Sequence, residues 1–218
     1  MKTLSLALAL ILGISGCRDQ RSDYQQAAST SAAPVAETVC ATASTSLPVD
    51  TAASVVYWKG TKFGGRGKHE GTLRLSRGEV EVCGSALVGG TFRIDMRSIE
   101  VTDIPEHEPV PRARLRDHLM GEDFFAVDTY PAATFRIDGA EGIGADSVRL
   151  SGALTMRGKT QGIAFKARIQ ERSARAVRAS AQFSIDRQRW GVAYRGSELT
   201  NDLVDDELYL DVRLVARG

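Results

Sequence analysis

The chain has 218 residues, 43% of them hydrophobic and 25% charged, with a formal net charge of +1. That composition belongs to a globular protein of one or two domains. Without Lys2, which lies in a predicted leader, acidic and basic side chains balance, so no overall field draws the chain to nucleic acid or to an anionic membrane.

Residues 1–16 carry one positive charge, a short apolar run and then small residues, the layout of a secretory signal peptide. The run is shorter than the ~20 residues that span a bilayer. Ile14-Ser15-Gly16-Cys17 resembles the lipobox of bacterial lipoproteins. That resemblance makes Cys17 the acylated first residue of the mature chain and gives a membrane anchor. It places the protein in the cell envelope on the periplasmic side. Arg18 follows the cysteine, which favours the outer membrane where the host has two. Export would permit Cys40 and Cys83 to form a disulfide; a free buried thiol is the alternative.

Residues 17–46 are dominated by Ser, Thr, Ala and Gln and hold few large apolar groups. They are expected to form a flexible tether, because such a segment buries too little surface to offset its ordering entropy. From residue 47 onward the pattern becomes period two, the signature of half-buried strands. Phe92, Ile94 and Met96 alternate with Arg93, Asp95 and Arg97. Val148, Leu150, Gly152, Leu154 and Met156 share a face, as do Ile163, Phe165, Ala167 and Ile169. Val177, Ala179, Ala181, Phe183 and Ile185 repeat the pattern, and Leu208, Leu210, Val212 and Leu214 close it. Arg77-Gly78, Val88-Gly89-Gly90, Arg157-Gly158 and Arg172-Ser173 read as the turns between strands, and the glycine-rich 60–67 as a hairpin or bulged strand. One wet and one dry face per strand indicates an antiparallel sheet. About eight such strands make an all-β fold, a closed barrel or a sandwich.

Residues 103–130 interrupt the strands. Pro105, Pro109 and Pro111 precede a stretch, Arg112–Met120, that suits a short helix, and Phe124-Phe125 follow. The excursion around 112–126 is expected to cover a barrel mouth, with the two rings diverging to different sides. Arg112, Arg114 and Arg116 would either meet a phosphate there or form a solvated basic face.

Catalytic chemistry is not legible. The three histidines, His69, His107 and His118, fall in no metal-ligand spacing, no nucleophile elbow is present, and 60–67 lacks the ending of a phosphate-binding loop. No enzyme activity, cofactor or metal is expected.

Several motifs, in order, resemble the YceI-like, polyisoprenoid-binding domain family. They are Asp50-x-x-x-Ser54, Ser98-Ile99, Leu115-Arg-Asp-His-Leu119, Asp123-Phe-Phe125 and Tyr130-Pro131-x-x-Thr-Phe135. Leu154-Thr-Met-Arg157-Gly158-x-Thr160, Phe183-x-Ile185-Asp-Arg187-x-x-Trp190-Gly191 and Asp205-Asp-Glu-Leu208 follow. The resemblance covers residues 47–218. It implies an extended, lipocalin-like antiparallel barrel of about eight strands whose apolar tunnel holds a polyisoprenoid, a prenyl quinone or a fatty-acid derivative, without catalysis. The alternative is a structural or stress-related interaction module with a filled barrel. Residues expected against a ligand are Phe92, Ile94, Met96, Phe124, Phe125, Leu154, Met156, Phe165, Phe183 and Trp190, although for each one taken singly ordinary core packing is the favoured reading. The expected partners are a lipid or isoprenoid ligand and, through Cys17, the membrane; a homodimer is left open.

Overall fold

A computed structural model describes residues 24–30, 43–193 and 204–218. The expected leader 1–16, the expected acylation site Cys17, and Cys40 lie outside the described residues. Cys83 is disulfide-bonded.

Eight strands make the barrel: β4 (Val55–Lys62), β5 (Gly67–Cys83), β6 (Ala86–Val101), β7 (Ala132–Gly142), β8 (Ser147–Met156), β9 (Lys159–Arg172), β10 (Ala176–Asp186) and β11 (Val204–Arg217). Each pairs antiparallel with its sequence neighbour, and β11 pairs with β4, so the sheet closes on itself as expected. Closure leaves no long open edge. The alternating apolar residues point inward and meet in one core.

Three short strands precede the barrel: β1 (Gln25–Gln26), β2 (Ala28–Thr30) and β3 (Thr45–Pro48). The segment expected to be a free tether therefore contributes to the wall. β3 pairs with β5, and the chain runs on to Val49, whose N–H donates to the Gly78 carbonyl at 2.9 Å. Asp50 then accepts from the N–H groups of Ala52 and Ala53 at 3.2 and 3.0 Å, a local turn. Ser54 Oγ accepts from Val215 N–H at 3.0 Å and donates back to its carbonyl at 3.3 Å, which fixes the entry to β4.

Two of the expected turns are strand interior. Arg77-Gly78 lies within β5 and Val88-Gly89-Gly90 within β6, and the reversal between them is at Gly84, with φ +61. These glycines serve close approach instead. A Cβ on Gly78 would fall 2.9 Å from the Val49 side chain, and one on Gly90 2.8 Å from the Glu79 carbonyl oxygen. A bulge between Leu75 and Arg77 explains why the inward phase switches from Leu73 and Leu75 to Val80 and Val82. Arg157-Gly158 is the two-residue hairpin turn expected, with both residues at positive φ.

The helix α1 spans Pro109–Met120, three residues longer at its start than expected. The prolines open it rather than preclude it, since first-turn N–H groups have no helical partner to lose. Leu119 is buried, and Leu115 and Met120 pack against the core.

Candidate functional site

The barrel encloses a cavity of about 150 Å³ lined by all eight strands and by Phe125 from the excursion. It runs from Leu87, near the β5–β6 turn, to Met156 and Ile185, at the end covered by the excursion. Ser180 and Trp58 are the lining residues whose side chains carry a nitrogen or oxygen. The Ser180 hydroxyl accepts from Gln170 Nε2 at 2.6 Å.

Period-two alternation puts Phe92, Ile94, Met96, Leu154, Met156, Phe165 and Phe183 in this lining, and Phe125 joins them. Two of the ten residues expected there are elsewhere. Phe124 points to the helix, its ring edge-on to His118 at 5.0 Å. The turns after α1 separate the two rings: the Phe125 N–H donates to the Leu119 carbonyl at 3.1 Å, and Ala126 takes a positive φ. Trp190 is fully buried beside the barrel, and its Nε1–H donates to the Leu154 carbonyl at 3.0 Å.

Four phenylalanines cross the lumen. Phe92 and Phe135 stack at 6.4 Å, Phe135 and Phe165 tilt at 5.5 Å, and Phe165 and Phe183 stack at 4.0 Å. Such contacts add to the apolar burial of the rings. A dry cavity of this size admits a benzene-sized group. A longer chain must turn these rings aside.

The excursion end is clasped by two arginines. Arg157 donates to the Gly191 carbonyl and, at 2.7 Å, to the Glu122 carbonyl, joining the excursion to the turn of 3-10 helix Arg187–Trp190. Arg187 is buried and donates to the carbonyls of Val192, Val204 and Asp205 at 2.5, 2.9 and 3.1 Å. Burial lowers its pKa, against the raising influence of Asp206, Asp186 and Asp205, yet a guanidinium stays charged at neutral pH. The Arg-x-x-Trp-Gly motif is therefore a structural clasp, ended by Gly191 at φ +70. The sequence carried this signal; only the fold shows that it serves the frame rather than the lumen.

Two of the helix arginines, Arg112 and Arg116, face carboxylates. Arg112 lies 3.8 Å from Glu100 and 3.9 Å from Glu106, and Arg116 donates to Asp117 at 3.0 Å. His69, which falls in no metal-ligand spacing, meets Asp103 at 2.9 Å. Among the described residues no group of three His, Cys, Asp or Glu is placed to hold a metal ion.

The wall has one seam. β9 and β10 pair only from Arg172↔Val177 to Arg168↔Ser180 and then separate. Residues 25–30 fill the gap, β1 running parallel to β10 and β2 antiparallel to β9. Ala27 reaches the core, and its N–H donates to the Ser184 carbonyl at 2.8 Å. Gly162 makes room for this stretch: a Cβ there would lie 2.3 Å from the Thr30 carbonyl oxygen.

A family model described as YceI-like domain matches residues 48–216. The fold is similar to that of BcnA from Burkholderia cenocepacia, with TM-score 0.62 and 21% identity over 77% of this chain and 99% of that one. It is also similar to a polyisoprenoid binding domain from Saccharophagus degradans implicated in plant cell wall breakdown, with TM-score 0.56 and 18% identity over 78% and 97% of the two chains. Identities at this level establish the fold alone. Sequence comparison with curated proteins gives no match.

Proposed function

The chain belongs to the YceI-like domain family, and from that premise we propose that it binds or carries a long apolar amphiphile in the bacterial cell envelope without catalysing a reaction on it. One observation carries the reading: an apolar cavity, drawn from every strand of the barrel, runs along its length. Removing a hydrocarbon chain from water is worth about 0.8 kcal/mol per CH2, so even partial enclosure offsets extraction from a bilayer. The structural neighbour from Saccharophagus degradans is a polyisoprenoid binding domain, which supports a ligand of that class. A lipid anchor on Cys17, following the lipobox-like Ile14–Cys17, would hold the barrel beside the membrane that supplies the chain.

The phenylalanine belt favours a second reading, a barrel filled by its own side chains that serves as an interaction module. Organic extraction of the protein purified from its native envelope, followed by mass spectrometry, separates the two. The carrier reading expects about one prenyl- or acyl-chain molecule per chain. Protein free of such a molecule after purification from lipid-replete cells would favour the filled module.

A further inference from the structure

Trp58 holds the one buried side-chain nitrogen or oxygen without a hydrogen-bond partner among the described residues, its indole Nε1. The residue is 6% exposed and lines the lumen. Buried indole N–H groups ordinarily find an acceptor, and an unmade bond of this kind is costly. The other tryptophan obeys that rule through the Leu154 carbonyl. The indole position of Trp58 is built into the fold. The ring lies across Gly71, where a Cβ would come 2.7 Å from Cζ2. Cross-strand register puts Trp58 level with Gly71 and Val101 on one side, and with Leu210 and Phe183 on the other. That level is near the excursion end, with the longer part of the lumen running away toward Leu87.

We propose that Trp58 Nε1–H is the specificity-determining donor of the lumen and holds an uncharged oxygen acceptor at the polar end of the ligand, the hydrocarbon tail running toward Leu87. This rests on the lumen being a ligand site. The acceptor is uncharged because the lining holds no charged side chain, and an anion there would lack a counter-charge. Charged groups near this level belong to the outer face. Tyr57, Lys59, Asp211 and Arg213 alternate with the inward residues and line an external trough, which Trp58 and Gly71 also border; there Asp211 accepts from Gln182 at 2.9 Å. Arg187 is spent on backbone carbonyls, and Arg112 and Arg116 face carboxylates. A ketone, ester or hydroxyl oxygen matches one neutral N–H; a phosphate or a carboxylate does not.

The test uses the full chain, 15N-labelled at tryptophan, which gives two indole N–H signals in an NMR spectrum. It is titrated with three probes of equal chain length: a prenyl methyl ketone, a prenyl hydrocarbon and a prenyl phosphate. The ketone is expected to bind about three- to tenfold more tightly than the hydrocarbon. It moves the Trp58 indole proton downfield while the Trp190 signal stays. Within the Trp58→Phe variant the ketone is expected to bind no more tightly than the hydrocarbon. A ketone preference that survives Trp58→Phe overturns the proposal, as does a ketone-bound wild-type spectrum with no downfield shift. Tighter binding of the phosphate overturns the uncharged acceptor. Hydrocarbon binding without ketone preference overturns this inference alone. Failure of all three probes to bind wild-type protein overturns the lumen reading itself.

Discussion

Along β7 and β8 the barrel wall is one ladder with a single bulge, from Thr134↔Thr155 to Gly142↔Val148. Between β9 and β10 the ladder stops at Arg168↔Ser180, and a separate stretch of chain, residues 25–30, completes the wall. The first wall is fixed by neighbours in sequence and costs little loop entropy. The second depends on two short pairings and one buried alanine, from a segment whose composition cannot support structure alone. The strand pairs of the barrel thus close directly on one another along the wall, whereas the β9–β10 seam, beside the lumen, is completed by a separate stretch of chain.

The largest effect is expected where β10 compensates for that seam. Its far end is locked to the start of β11 by Arg187, which satisfies three backbone carbonyls. Arg187→Ala leaves those carbonyls unpaired and is expected to lose about 3 kcal/mol or more in denaturant unfolding. A loss under about 1 kcal/mol would mean that the two strands are held otherwise.

Two glycines then compare the walls directly. At Gly152 a Cβ would lie 2.0 Å from the Arg136 carbonyl oxygen, inside the β7–β8 ladder. Gly152→Ala has no expendable neighbour to displace and should cost about 2–3 kcal/mol. At Gly162 the clash, at 2.3 Å, is with Thr30. Here the neighbour can leave. Gly162→Ala should cost about 1 kcal/mol or less and raise the hydrogen exchange of residues 24–30 selectively. Equal costs at the two sites would erase the distinction between the walls.

The sequence made the lumen legible because a strand commits alternate residues to one face. Phe165 and Phe183 needed only their spacing to be placed there. It did not separate Gly78 and Gly90 from turn glycines, since what decides them is Val49 and Glu79 approaching from elsewhere in the chain. Residues 25–30 read as tether because the gap that receives them is made by β9 and β10, more than 130 residues away. Trp190 and Phe124 look like any other aromatic near a barrel end until the clasp and the helix claim them. Trp58 carries no local mark at all: whether an N–H is satisfied is a property of the folded surroundings. Gly152, small and on an inward-reading face, invites a lumen-filling substitution that the Arg136 carbonyl forbids.

Ala181 is the position where the lumen itself can be filled. It is buried, lines the cavity and sits in a space the size of an aromatic ring. Native mass spectrometry of Ala181→Phe, with denaturant unfolding alongside, tests the carrier account most directly. The account predicts unchanged or slightly raised stability together with loss of the bound chain. A stability loss of about 1–3 kcal/mol, the usual penalty of an overpacked core, or a chain still bound at the wild-type ratio, would contradict it.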